Sequence, residues 1–179
     1  MPFLIAAVVL VGVVCLVDLV LTVGVIRRLR EHTEFLTTLG REAPGLGVGE
    51  EVGPFAVHAA DGGPLTRDHL TRETLFGFFS PDCEPCKAKL PAFVRYAAEM
   101  PGGRDRVVAV IAADEGADGE FRSRLGEVAR VVVEDHTGPL SAAFRVRAYP
   151  SLFLVAPDGA GRVVVTTDAP ELSRAVGVA

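Results

Sequence analysis

The chain has 179 residues, a formal net charge of −5, 49% hydrophobic residues and no Trp. That length suffices for one globular domain and an appendage. The acidic balance without a basic stripe excludes nucleic-acid binding by charge, and three cysteines are too few for a stapled framework or a four-cysteine zinc site.

Residues 3–26, FLIAAVVLVGVVCLVDLVLTVGVI, carry much of the hydrophobic excess. About 24 residues at about 1.5 Å each give roughly 36 Å, enough to cross a hydrocarbon core of about 30 Å. A cleaved signal peptide would have a basic start, a shorter core and a small-residue cleavage site. This segment starts Met-Pro-Phe and ends on Arg27, Arg28 and Arg30, so an uncleaved transmembrane anchor is expected. Asp18 is its one charge and admits two readings: it faces a membrane partner, or it lies near enough to one end to reach polar groups. The arginines after the span predict a cytoplasmic C-terminal domain.

Residues 27–41 keep helical spacing through Leu29, Phe35, Leu36 and Leu39, predicting a juxtamembrane helix. Residues 43–54, rich in Gly and Pro, read as a linker. The expected division is an anchor with basic flank (1–30), juxtamembrane helix and linker (31–51) and a folded domain (52–179).

Within that domain the pattern predicts a strand at 55–59, a turn at Asp61-Gly62-Gly63 and a buried strand at 74–79 ending in Ser80-Pro81. A helix follows over 84–99 with Leu90, Phe93, Val94 and Ala97 inward. Residues 106–112 are a continuous apolar run, as in a central parallel strand. A helix at 118–127, a strand at 131–134 and a short helix at 139–144 come next. Strands at 151–156 and 162–166 flank the turn Pro157-Asp158-Gly159, and a short helix follows Pro170. The order implies an α/β fold with a mixed sheet, parallel at one end and antiparallel at the other.

The chemistry concentrates in Cys83-Glu84-Pro85-Cys86. A strand, a short turn and then C-x-x-C opening a helix put Cys83 at the helix N-terminus. Unpaired N–H groups and the helix dipole there favour a thiolate, the form that attacks a disulfide. Cys86, one turn on, faces inward and resolves the mixed disulfide. Pro85 suits a first turn that needs no N–H. Lys87 would assist the thiolate; Asp82 and Glu84 would oppose it.

The soluble region resembles the thioredoxin-like superfamily, in its membrane-anchored TlpA/redoxin branch. The resemblance rests on VGEEVGPFAVHAADGGPLT, LFGFFSPDCEPCKAKLPAF and EDHTGPLSAAFRVRAYPSLFLVAPDG. Within the branch, F-S-P-x-C-x-x-C-K behind an Arg-flanked anchor is most similar in layout to the methylamine dehydrogenase maturation proteins, which are disulfide-handling accessory factors. The resemblance implies a thioredoxin-like fold and a protein disulfide reductase activity through Cys83 and Cys86, with no cofactor and no metal. It makes Tyr149 and Pro150 the cis-proline loop that presents backbone to substrate. It also implies a disulfide-containing protein substrate, an integral-membrane redox partner and, against the arginine rule, an extracytoplasmic bacterial domain, where disulfides persist.

Three departures stand out. Asp82 replaces the Trp that many thioredoxins carry before the first Cys. Gly77 replaces their buried Asp, and Lys89 replaces the Glu of cytochrome-maturation members with C-E-P-C. Two other functions compete. A thioredoxin-fold peroxidase would use Cys83 with Ser80, but Phe76 holds the place of its expected Pro. A Cu(I)-binding module would use Cys83, Cys86 and His136, since soft thiolates suit that ion. His32, His58 and His69 show no partner pattern, and Asp114, Glu115 and Asp135 read as solvated loop acids.

Overall fold

The computed structural model describes residues 45–114 and 119–172, with Gly12 alone besides. The chain divides into two compact units, Met1–Glu42 and Ala43–Ala179, and the fold below is that of the second. The expected span at 3–26, Asp18, the juxtamembrane helix and the helix expected after Pro170 fall outside the described residues. Among the described residues, no helix is long and apolar enough to cross a membrane.

The elements run β1 (Ala56–His58), β2 (Pro64–Thr66), a 3₁₀ turn (Arg67–His69), β3 (Thr74–Phe79), α1 (Glu84–Ala98), a second 3₁₀ turn (Gly103–Arg106), β4 (Val107–Ala112), α2 (Gly119–Gly126), β5 (Arg130–Glu134), α3 (Pro139–Ala143), β6 (Ser151–Pro157) and β7 (Val163–Thr167). β1 and β2 form a hairpin. Its tip holds Gly62 at a φ of 83° and turns the Asp61 carboxylate onto the Gly63 N–H at 3.0 Å. β2 lies where the sequence shows no strand signal. Three residues beginning with Pro carry no readable alternation, and the partner strand decides.

The main sheet has five strands in the order β5-β4-β3-β6-β7. β3 pairs in parallel with β4, and β4 with β5. β3 pairs antiparallel with β6, and β6 with β7. The mixed sheet with an antiparallel end is therefore as expected. β3 and β4 are buried at every residue, which is why both read as unbroken apolar runs.

Alternate residues of β3 serve two cores. Leu75 and Phe79 face α1 and α2, packing with Leu90, Phe93, Phe121 and Leu125. Phe76 and Phe78 face the other way, packing with Phe144, Phe153, Leu140 and Leu46. On that side, Phe144 lies 4.6 Å from Phe76, 5.1 Å from Phe78 and 5.3 Å from Phe153, ring centre to ring centre. Burying aromatic rings at such spacings stabilises beyond their area.

The linker reading needs correcting for residues 45–54. Leu46 and Val52 are 1% and 0% exposed, and the packed unit begins before Val52. The Leu46 N–H bonds to the Phe144 carbonyl at 3.0 Å, and the Gly53 N–H to the Ala143 carbonyl at 3.0 Å. Gly49, Glu50 and Val52 pair with Val163 and Val165, covering the outer edge of β7. Gly45 and Gly53 serve close approach. A Cβ on Gly45 would lie 2.5 Å from the Phe153 ring. The composition that suggests a tether is here that of a tightly packed strap.

Candidate functional site

Cys83 is the N-cap of α1, in extended backbone conformation with φ −93° and ψ 109°. Its carbonyl accepts the Cys86 N–H at 3.0 Å and the Lys87 N–H at 3.3 Å, starting the helix. Its own N–H donates to the Ser80 carbonyl at 3.2 Å, closing the turn after β3. This turn brings Cys83 to the surface, half-buried, while Cys86 is fully buried. Both are free thiols.

Cys86 packs with Phe79, Leu90 and Phe93 in the α1-side core. Its sulfur accepts the Ser80 N–H at 3.5 Å. Burial, with Cys83 adding to it, pushes the Cys86 thiol up to about 12, and the Ser80 N–H opposes that rise. The outer sulfur is thus partly open to solvent and the inner one lies beneath it, its thiol form favoured by burial.

Tyr149 and Pro150, far along the chain, meet this pair. Their peptide bond is cis, and both residues are half-buried. The Cys83 thiol donates to the Tyr149 carbonyl at 3.4 Å. Ser151 Oγ donates to the Ala148 carbonyl at 2.6 Å, tying the loop across the proline. The Tyr149 side chain packs against both cores. Burial pushes its phenol up; the nearby Ser141 hydroxyl works against that and the Glu134 carboxylate with it.

Other sequence candidates lie differently. Lys87 donates to the Glu84 carboxylate at 3.2 Å, a pair with both side chains more than half exposed, so it is engaged along the helix. Asp82 is exposed. Gly77 stands under α1: a Cβ there would lie 2.6 Å from Phe93 and 2.8 Å from Phe79. Aromatic rings occupy the space an acid would need, which accounts for its absence. Phe76 belongs to the core on the opposite face, and Ser80 is buried with its backbone bonded to both cysteines. His136 is exposed, its ring edge-on to Tyr149 at 5.5 Å. Among the described residues, no three His, Cys, Asp or Glu side chains are grouped so as to hold a metal.

Sequence reasoning missed Glu134. Its two oxygens accept the Leu140 N–H at 3.0 Å and the Ser141 N–H at 2.7 Å, capping α3 from the end of β5. The following Asp135 accepts the Thr137 N–H at 2.7 Å and hydroxyl at 2.8 Å. Those bonds hold its carboxyl below the usual range. The helix start was legible in Gly138-Pro139. A carboxylate reaching in from a neighbouring strand leaves no mark in local spacing.

No family model and no curated protein matches the chain. Solved structures do. A secreted disulfide oxidoreductase of Mycobacterium tuberculosis, homologous to E. coli DsbE, superposes with a TM-score of 0.50 at 23% identity, over 66% of this chain and 89% of that one. The thioredoxin domain of a thiol-disulfide oxidoreductase from Bacteroides vulgatus gives 0.51 at 13% identity, over 69% and 91%. A thiol:disulfide interchange protein of Chlorobium tepidum gives 0.51 at 19% identity, over 69% and 88%.

Proposed function

From the premise that this domain has a thioredoxin-like fold, we propose that the chain is a membrane-anchored thiol–disulfide oxidoreductase. It exchanges disulfides with protein substrates through Cys83 and Cys86. The observation that carries the reading is the pairing of a half-exposed sulfur at a helix N-terminus with a buried second sulfur, the outer one on the carbonyl of a cis-proline loop.

In the reducing direction the Cys83 thiolate attacks one sulfur of the substrate disulfide. An S–S bond forms between Cys83 and that sulfur, and the substrate's other sulfur leaves as a thiolate and takes up a proton. Cys86 then gives up its proton and attacks the Cys83 sulfur, expelling the second substrate thiol. Two electrons pass to the substrate, and Cys83–Cys86 becomes a disulfide. Backbone at Tyr149-Pro150 aligns the substrate strand beside Cys83. Reversed, the same steps oxidise a dithiol. Because Cys86 is held as a thiol, resolution waits on its deprotonation, with no acid at position 77 to share the proton.

Residues 3–26 anchor the chain, and the domain acts outside the cytoplasm with an integral-membrane redox protein as electron partner. A disulfide-handling accessory role in maturing an exported enzyme fits that layout. Protease added to intact cells should digest the domain; full protection would defeat the outward placement.

The full chain in detergent micelles should reduce insulin disulfides and show a two-electron couple. A couple near about −270 mV marks a reductant and one near about −120 mV an oxidant. Cys83→Ser should abolish both signals, and Cys86→Ser should trap a mixed disulfide. A purified chain with no couple, or exchange surviving in Cys83→Ser, ends this reading.

A further inference from the structure

Beside Tyr149 the surface forms a hollow of about 260 Å³, lined among others by His136, Thr137, Ser141, Arg145 and Arg147. It connects to the reacting sulfur through one residue, Tyr149. His136 meets the Tyr149 ring at 5.5 Å, and the Tyr149 carbonyl takes the Cys83 thiol at 3.4 Å.

Three observations describe what the hollow suits. Its lining carries two arginines, a histidine and two hydroxyls, and no carboxylate. The acids of the adjoining loop, Glu134 and Asp135, lie outside that lining and accept the N–H groups of Leu140, Ser141 and Thr137. Ser141 is 2% exposed, and its hydroxyl meets the Tyr149 phenol with no backbone or charged partner. A buried hydroxyl is ordinarily paired. Finally, Arg145 holds a φ of 50°. It occupies the left-handed position closing α3, where the Arg145 N–H bonds to the Ala142 carbonyl at 3.1 Å and the Val146 N–H to the Ser141 carbonyl at 2.9 Å. Glycine is the usual occupant of that position. An arginine kept there despite its Cβ is the kind of departure found at functional sites. Its guanidinium contacts Glu50 at 3.3 Å with both side chains well exposed, a pair easily exchanged for another carboxylate.

The geometry points to a carboxylate-binding subsite: an Asp or Glu of the substrate protein, near its reacting cysteine, seats on Arg145, His136 and Ser141. This rests on the exchange reading above and deepens it by naming the substrate class. A small carboxylate-bearing thiol shares the chemistry. The protein substrate is favoured because Tyr149 links hollow and sulfur, its ring on His136 and its carbonyl on Cys83, so a ligand engaging both has to reach across that residue.

The test uses the reduced full chain in nanodiscs and disulfide peptides differing only in one residue near the cysteine: Glu, Gln or Lys. Oxidised glutathione serves as the small carboxylate probe. The Glu peptide should react about fivefold faster than the Gln peptide at low salt, with the lead fading as salt rises. In Ser141→Ala and Arg145→Gly that ratio should fall towards one. Neither variant should melt much lower than the parent, because one removes a hydroxyl with no backbone or charged partner and the other relieves a positive φ.

A Glu-to-Gln ratio near one in the parent, or a ratio unmoved in both variants, overturns the subsite while leaving exchange intact. Rapid exchange with glutathione alone, in the absence of any peptide preference, overturns the protein-substrate assignment. No exchange with any probe overturns the exchange reading, and the subsite falls with it.

Discussion

The two faces of the central sheet are covered by different kinds of chain. α1 and α2 cover one face, and their inward residues Leu90, Phe93, Phe121 and Leu125 recur at helical spacing. The other face is covered by the 45–54 strap, the β1–β2 hairpin and α3, a helix of only five residues. The first face seals through side chains on regular elements. The second seals partly through close backbone approach, Gly45 against the Phe153 ring and Gly53 against the Ala143 backbone. Cys86 belongs to the first core and Tyr149 touches both, so the candidate site sits where the two kinds of packing meet.

Crowding the helical face gives the largest expected effect. Gly77→Asp puts a carboxylate against Phe79 and Phe93, and urea unfolding should show a loss of more than about 3 kcal/mol. Retained stability would mean that the aromatic layer yields, and that the missing acid has another cause.

Next comes the strap. Leu46 is 1% exposed, so Leu46→Ala should destabilise by about 2–3 kcal/mol. A true tether would respond by less than about 0.5 kcal/mol. That smaller value would erase the distinction between the faces as drawn here.

The buried thiol gives a smaller, pH-dependent effect. Cys86 has its pKa raised from 9.0 to about 12 in the folded chain. The unfolded state therefore loses this proton first as pH rises. The contribution is full below about pH 9 and declines as pH climbs through the folded value. The reduced chain should lose roughly 1 kcal/mol more than Cys86→Ala between about pH 9 and 10.5. Tyr96 and Tyr149 are shifted upward as well, so the difference between the two proteins is the quantity to measure. Parallel curves would show that Cys86 is not sealed.

The smallest effect has the opposite sign. Arg145→Gly should raise stability by up to about 1 kcal/mol, because φ 50° suits glycine. A loss instead would assign the arginine a packing contribution.

How much was legible follows the same division. β3, α1 and β4 were read nearly to their ends, because burial on both sides of a strand and helical periodicity leave local patterns. Cys83 and Cys86 were legible because the strand, turn and helix that place them are contiguous. The strap was misread, since close backbone packing and flexibility call for the same residues. β2, Glu134 as the α3 cap, and the hollow beside Tyr149 gave no signal, each depending on partners distant in the chain.

The sequence by itself determined the mixed α/β order and the dithiol at a helix start, because short-range spacing dictates both. Only the tertiary structure decided that Tyr149 presents its carbonyl to Cys83 from 66 positions away. It also decided that rings fill the space beneath Gly77 and that a hollow lined by Arg145 and Arg147 opens beside the site. The reason is physical: hydrogen bonds, steric exclusion and charge act through space, whereas a single sequence displays only neighbours along the chain.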